Sequence, residues 1–351
     1  MQEFKYLIIG GGIAGTTAAE TVRQKDSEGS IAIVNDEPYR LYSRVMLSKQ
    51  NWFLGKIPFE RIWLKTEKWY QEKNIAFLGG KTATSLNKEN KTVTLDNGDI
   101  VKYEKLLIAT GGQARMWPVQ GANKQGIHYC RTLDQGKGIL NASKTAKKAV
   151  IIGSGFVSFE IAELFKLSGI DVTIVMREDH YWEPLLEKAG ADIVEKAIAV
   201  FGIHLIKNVE VQEVLGKDHV ESVLLKNGEK IDCDIIVCGI GIVFDNTWLQ
   251  DTGIEINRGI VTNEYLETTQ PDIWAAGDIA EYDDIILEEC LQMCNWANAR
   301  EHGRIAGLNM AGEKTPYKFV SFYNAQGMGM NIAFIGNIRP SENKIVIQRN
   351  D

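Results

Sequence analysis

Phe4-Lys5-Tyr6-Leu7-Ile8-Ile9-Gly10-Gly11-Gly12-Ile13-Ala14-Gly15 is the stretch on which the reading of this chain turns. A short apolar run ends in glycines, and an Ala- and Thr-containing helical stretch follows from Thr16 to about Gln24. A second apolar run, Ile31-Ala32-Ile33-Val34, completes a βαβ unit of about 30 residues. Gly10, Gly12 and Gly15 fit G-x-G-x-x-G between strand and helix. The first glycine permits the tight turn, the second lets backbone approach a pyrophosphate, and the third lets the helix pack close to the strand. The anion then sits at the helix N-terminus, where free N–H groups and the dipole favour it. An acidic pair, Asp36-Glu37, follows about 20 residues later, in the place of a carboxylate that accepts from an adenosine ribose.

The pattern returns at 148–175. Lys148-Ala149-Val150-Ile151-Ile152 runs into Gly153-Ser154-Gly155-Phe156-Val157-Ser158, then a helix from about Phe159 to Leu167, then Asp171-Val172-Thr173-Ile174-Val175. This is a duplicated nucleotide-binding unit rather than a solenoid repeat. The second turn keeps Gly153 and Gly155 but carries Ser158 at the third position. Met176 stands where a ribose-binding acid is often found, and Arg177 beside it is able to face a 2′-phosphate. Glu178 and Asp179 would repel that phosphate, so NADH and NADPH both stay open.

Outside these units the chain reads as short strands at 75–78, 92–95 and 100–103, with Asn97-Gly98 as a hairpin turn. Residues 220–238 repeat this around Asn227-Gly228, and 286–311 reads as helix. At 351 residues the chain has length for two or three domains. Hydrophobic residues at 44% and charged residues at 24% suit a folded protein and exclude bulk disorder. A net charge of −7 argues against a general nucleic-acid role. No apolar run reaches the roughly 18 residues of a membrane helix, and the N-terminus does not read as a signal peptide. Five cysteines do not make a disulfide scaffold in a chain this long, and the expected compartment is the cytoplasm.

Two dinucleotide units in one chain suggest a flavoprotein that takes hydride from a nicotinamide, and further motifs sharpen this. Leu106-Leu107-Ile108-Ala109-Thr110-Gly111-Gly112 resembles the strand and turn after the first meander in FAD-dependent pyridine nucleotide–disulfide oxidoreductases. Residues 268–278, ending Ala275-Ala276-Gly277-Asp278, resemble that superfamily's second FAD motif, in which the Asp binds the ribityl and phosphate region. The segment 36–49 resembles the flavin-facing segment of NAD(P)H:rubredoxin reductases, oxygenase-coupled ferredoxin reductases and the flavoprotein part of assimilatory nitrite reductases. It holds no cysteine, so a thiol relay from the flavin is hard to build.

The resemblance implies FAD and NAD(P)H as cofactors. It implies an α/β fold of two Rossmann-like three-layer domains: FAD-binding at 1–117 and 243–312, NAD(P)-binding at 118–242, and a shortened C-terminal interface unit at 313–351. Cofactor contacts are expected from Gly10, Gly12, Gly15, Asp36, Glu37, Arg44, Thr110, Gly111, Gly153, Gly155, Arg177, Gly277, Asp278 and Trp296. Lys49 matches a lysine near flavin N5 and Glu160 a glutamate that pairs with it; together they are the expected catalytic residues, and no metal is expected. A cation there stabilises negative charge on reduced flavin, and its partner offsets the cost of burying it. The implied activity is electron transfer from NAD(P)H through FAD to a one-electron carrier protein such as rubredoxin or ferredoxin. An NADH oxidase acting on oxygen, or a flavin-bound electron-transfer or assembly subunit, is the alternative; a homodimer and a subunit of a complex are both open.

Cys233 and Cys238 mimic a redox pair but fall in an apolar strand-like run, where their side chains point to opposite faces. Cys290 and Cys294 are expected one helical turn apart, leading into Trp296.

Overall fold

A computed structural model of the chain describes residues 1–338, so the expected C-terminal unit at 313–351 lies partly outside the described residues. Contacts group the chain into two compact units, each discontinuous in sequence. The first comprises Met1–Met46, Ile57–Gln113 and Ile242–Tyr323; the second comprises Leu47–Lys56, Ala114–Gly241 and the described residues from 324 on. In chain order the elements that position the sites are β1 (Gln2–Ile9), α1 (Ile13–Lys25), β2 (Ile31–Asn35), β3 (Ile100–Ile108), β4 (Lys148–Ile152), α2 (Phe156–Leu167), β5 (Asp171–Val175), β6 (Ile235–Cys238), β7 (Ile273–Ala275) and α3 (Trp296–Met310).

The first unit is built on β1. It pairs in parallel with β2 on one side and β3 on the other, and β7 pairs in parallel with β3. Strand Ile75–Gly79 extends the sheet beyond β2. Alternation along β1 sends Tyr6 and Ile8 to one face and Leu7 and Ile9 to the other, each into its own buried cluster. One cluster takes Ala14, Ala18, Ala299 and Ile305 from α1 and α3; the other takes Val93, Leu95 and Leu249. Sheet between two apolar layers is the three-layer plan expected from the sequence.

β3 is one nine-residue strand, not the separate pieces at 100–103 and 106–108 that the sequence suggested. Its first residues pair antiparallel with Thr92–Leu95 and its whole length runs parallel to β1. Glu104 and Lys105 break the apolar pattern without breaking the strand, because the Lys105 ammonium reaches the carbonyl of Met310 at 2.5 Å.

The second unit repeats the first. β4 lies between β5 and β6, all parallel, with strands His204–Ile206 and Ile127–Tyr129 at the edges. Val211–Leu215, Ser222–Leu225 and Lys230–Asp232 form a small antiparallel sheet. The repetition reaches single hydrogen bonds. Gly10 N–H donates to the Val34 carbonyl at 2.7 Å, and Gly153 N–H to the Val175 carbonyl at 2.9 Å.

The stretch 286–311 is not one helix. Glu289–Leu291 pairs antiparallel with the strand Ala280–Asp284, and the Asp284 carboxylate holds the turn by accepting from the backbone of Ile286 and Leu287. The helix starts only at Trp296, where Asn295 caps it by accepting from Asn298 N–H at 2.9 Å. Cys290 is therefore on a strand and Cys294 on the loop before α3, so they are not a helical i,i+4 pair. Cys233 lies just before β6 rather than within it.

Candidate functional site

In the first unit, parallel pairing aligns the carboxyl ends of β1, β3 and β7: Ile9 lies beside Ile108, and Ile108 beside Ala275. The residues that follow, Gly10–Gly12, Thr110–Gly111 and Gly277–Asp278, are thereby gathered along one sheet edge. β2 lies on one side of β1 and β3 on the other, which is the topological switch point where such sheets bind ligands.

Each motif glycine has its own reason. Gly10 has φ +114°, and a Cβ there would lie 2.1 Å from the Ala109 carbonyl oxygen. A Cβ on Gly15 would lie 1.9 Å from the Gly10 carbonyl oxygen. Gly12 is the opposite case: a Cβ there would meet no atom within 4 Å. Gly12 is the N-cap of α1, which has no side-chain cap and no acid in its first turn. Helix N–H groups thus open onto an empty cradle, as a pyrophosphate requires. α1 starts at Ile13, three residues before the sequence suggested, because Gly12 is its cap.

Gly277 has φ +82°, and its Cβ position is 3.1 Å from the Ala14 methyl, which seats the Gly277–Asp278 turn against the first turn of α1. Asp278 itself is half-buried, and its carbonyl accepts from the Gln292 amide at 2.9 Å. α3 supports this arrangement from behind. Cβ atoms on Gly303 and Gly307 would lie 2.1 and 2.8 Å from the carbonyl oxygens of Ala14 and Ala18, so α1 and α3 touch backbone to backbone. Trp296, at the start of α3, is 39% exposed with the Arg300 guanidinium 6.0 Å from its ring centre.

The acidic pair divides. Glu37 is buried, accepting from Arg44 Nη2 at 2.8 Å and from the Tyr42 hydroxyl at 3.0 Å. Asp36 is exposed. Asn35, which sequence reasoning passed over, ties the turn to the sheet: its Oδ1 accepts from Gly11 N–H at 2.8 Å. Its signal was a polar residue ending an otherwise apolar strand. A second missed group is His302, fully buried on α3, whose Nδ1 accepts from Gly277 N–H at 3.3 Å. Tyr282 and Tyr317 surround it edge-on and donate to Asn298. Burial pushes the His302 pKa down to about 3, so the ring is neutral.

In the second unit the glycine turn is built the same way. Gly153 has φ +97°, and its Cβ would lie 2.6 Å from the Gly239 carbonyl oxygen. Gly155 caps α2 with no side-chain cap, and the nearest atom to its Cβ position is 3.6 Å away. The residues present in both units therefore fit a bound dinucleotide. Arg177 lies beyond β5 and its Nε donates to Glu178 at 3.0 Å.

Lys49 and Glu160 also belong to this second unit, and they meet. The Lys49 ammonium bonds one carboxylate oxygen of Glu160, and the Ser48 hydroxyl, unnoticed in the sequence, donates to the other. Glu160 is 8% exposed. Burial pushes its carboxyl above the ordinary value, Lys49 and Ser48 pull it back, and Glu163 one turn on adds to the rise. Removing either partner would leave an uncompensated charge.

Among the described residues no group of His, Cys, Asp and Glu is arranged to hold a metal, and no helix is long and apolar enough to cross a membrane. Among the described residues none of the five cysteines is in a disulfide. Cys233 and Cys238 are buried, and burial pushes both up to about 12, which makes them inert core residues.

The chain is similar to known proteins along most of its length. The sequence profile described as pyridine nucleotide-disulphide oxidoreductase matches residues 4–303. A nitrite reductase [NAD(P)H] of Bacillus subtilis is 30% identical over 99% of this chain, and the chain spans 43% of that protein's length. An NADH-rubredoxin oxidoreductase of Clostridium acetobutylicum is 31% identical over 90% of this chain and 77% of its own. Among solved structures, a ferredoxin reductase from Rhodopseudomonas palustris superimposes with a TM-score of 0.90 at 26% identity, covering 95% of this chain and 82% of its own.

Proposed function

The chain belongs to the pyridine nucleotide-disulphide oxidoreductase family, and from that premise we propose that it is an FAD-dependent NAD(P)H oxidoreductase that delivers electrons one at a time to a small carrier protein, rubredoxin or ferredoxin. The observation that carries the reading is the pair of open, uncapped glycine turns, at Gly12 and Gly155, in a chain whose segment 36–49 has no cysteine. One turn serves a flavin dinucleotide and the other a nicotinamide dinucleotide. FAD, when bound, supplies the step from a hydride donor to a one-electron acceptor.

The chain's own groups do the rest. Gly10, Gly12, Gly15 and the first turn of α1 hold the flavin's pyrophosphate, with Asp36, Thr110, Gly111 and Asp278 completing that site and Arg44 fixing Glu37 beside it. Gly153, Gly155 and the first turn of α2 hold the pyrophosphate of the nicotinamide dinucleotide. Lys49 is the cation that stabilises negative charge on reduced flavin, and Glu160 keeps it in place. Relatives whose names include rubredoxin and ferredoxin reductase activities support the carrier assignment. Five cysteines with no disulfide among the described residues support a reducing, cytoplasmic setting.

The test is anaerobic stopped-flow reduction of the flavin by NADH or NADPH, followed by mixing with rubredoxin, with a ferredoxin, or with oxygen. Fast reoxidation by a carrier protein and slow reoxidation by oxygen is the expected pattern. Fast reaction with oxygen alone would turn the assignment to an oxidase, and a flavin that no nicotinamide reduces would end it.

A further inference from the structure

We infer that the second nucleotide site is built for NADH and turns NADPH away, with Glu178 doing the work of the acid that Met176 displaces. The inference rests on the proposed function for the site itself, and goes beyond it in naming the substrate. An acid at the end of the second strand of such a unit accepts from the 2′-hydroxyl of the adenosine ribose. Here that strand, β5, ends at Val175, and Met176 after it is 1% exposed, turned into the core. A methionine there offers the ribose neither a hydrogen-bond acceptor nor a charge.

The acceptor arrives two residues later. Ser154 lies inside the glycine turn, between Gly153 and Gly155, and its hydroxyl donates to Glu178 Oε2 at 3.4 Å. The Glu178 carboxylate is thereby drawn back to the turn where the adenosine half of a dinucleotide lies. The Glu178 carbonyl accepts from Asn208 N–H at 3.3 Å, which pins the loop. Arg177, a cation that would suit a 2′-phosphate, donates to the other oxygen, with Nε 3.0 Å from Glu178 Oε1. Asp179 opposes a phosphate as well, although Lys188 and Lys207 lie near it. Asp179 follows directly and accepts from the Asn208 amide at 3.2 Å. Lys207, one residue before Asn208, is paired with Glu195 at 2.7 Å.

A ribose hydroxyl has an ionised acceptor to donate to, which makes a strong hydrogen bond. A 2′-phosphate in the same place would bring two further negative charges against that carboxylate, with part of the Arg177 charge already offset by it. Attraction to one ligand and repulsion of the other act together, which is how sites reach high discrimination. At the effective dielectric of a protein surface, like charges a few ångströms apart set the two ligands roughly 100-fold apart.

The experiment is calorimetric titration of the FAD-loaded full chain with NAD⁺ and with NADP⁺, repeated on Glu178→Gln and Arg177→Ala. Expected is NAD⁺ binding about 100-fold tighter than NADP⁺. Glu178→Gln narrows that gap from both sides, by weakening NAD⁺ and strengthening NADP⁺. Arg177→Ala does not lower NADP⁺ affinity relative to NAD⁺. Equal or tighter NADP⁺ binding in the wild type, or an unchanged ratio in Glu178→Gln, overturns the inference while leaving the proposed function standing. A loss of NADP⁺ affinity in Arg177→Ala with NAD⁺ untouched would assign Arg177 to the phosphate and overturn it too. Failure of both nucleotides to bind would remove the nicotinamide site, and with it both readings.

Discussion

Replacing Gly12 by valine should separate folding from flavin binding in a single variant. The backbone at Gly12 has φ −70° and ψ −169°, an extended conformation that valine adopts readily. Among the described residues no atom lies within 4 Å of its Cβ position, so valine has room there. Removing a glycine from a compatible position even reduces the freedom of the unfolded chain, worth about 0.4–1 kcal/mol. The flavin-free variant should therefore melt at or slightly above the wild-type temperature. What valine fills is the cradle. The pyrophosphate would lose charge-assisted hydrogen bonds worth about 1.5–3 kcal/mol each and the favourable field of the helix N-terminus. Losing two such bonds weakens binding by about 10²–10⁴-fold. The comparison is Gly15→Ala, whose smaller methyl would lie 1.9 Å from a backbone oxygen and must damage the turn itself. The assay is flavin absorbance per chain after reconstitution, with thermal melts of the flavin-free proteins. Gly12→Val that retains a full complement of flavin would mean the pyrophosphate lies elsewhere. Gly12→Val that fails to fold would mean the cradle is not open.

Lys49→Ala should keep FAD, slow its reduction by nicotinamide about tenfold, for about 1.4 kcal/mol of lost stabilisation, and lower its reduction potential by about 30 mV for the same loss. Because Lys49 opposes the rise in the Glu160 carboxyl, the same variant should push Glu160 still higher, measurable by infrared titration of the carboxyl band; an unmoved band and potential would refute the pairing's role. A variant with all five cysteines replaced should reduce and reoxidise its flavin at wild-type rates in single-turnover mixing with a carrier. Collapse of the reoxidation step alone would put a thiol in the path, Cys294 first, since its Sγ lies 3.9 Å from the Asp278 carbonyl. His302, with its pKa pushed down to about 3 against 6.5, makes the fold acid-sensitive. Below pH 6.5 the unfolded chain gains a proton that the folded chain refuses until about pH 3, so stability present above 6.5 falls by up to about 1.4 kcal/mol per pH unit across that window. Denaturant titrations of wild type and His302→Gln should differ in slope there and run parallel above pH 7; parallel slopes throughout would show the ring titrating normally.

What was legible in the sequence was whatever depends on neighbours along the chain. The Gly10–Gly15 turn, the two βαβ units and the Asn97-Gly98 hairpin all follow from local periodicity and turn chemistry. The motif at 268–278 was legible only through resemblance, because nothing local says that β7 returns to lie beside β3. The misread helix at 286–311 shows the limit from the other side. Apolar residues at 285–287 fit a helical stripe as well as a hairpin tip, and the choice was made by the Asp284 carboxylate and the Asn295 cap. His302 was invisible for a different reason. Its role comes from Gly277 and Tyr282 on one stretch and Tyr317 on another, which the fold brings to α3.

Ser158 stands where the first turn has its third glycine, and the structure gives that departure a meaning of its own. In the first unit the third glycine, Gly15, leaves room for a turn that faces Ala109, whose N–H donates to Ile9 at the end of β1. In the second unit the equivalent donor to the end of β4 is Gly239, bonded to the Ile152 carbonyl at 2.8 Å. A Cβ on Gly239 would lie 2.1 Å from Ser158 Oγ. The equivalent positions carry complementary residues: glycine at 15 on the helix and alanine at 109 after the strand in one unit, serine at 158 and glycine at 239 in the other. The Ser158 hydroxyl is fully buried with no hydrogen-bond partner among the described residues, so its volume is what the position uses. Gly239→Ala should then cost about 1–3 kcal/mol through overpacking, weaken NAD⁺ binding, and be relieved by adding Ser158→Gly, which restores the first unit's arrangement. A double-mutant cycle by denaturant unfolding measures it, with a coupling of about 1 kcal/mol or more expected for two groups in direct contact. Strictly additive effects would mean that the two positions do not share the space, and Ser158 would again count as a lost glycine.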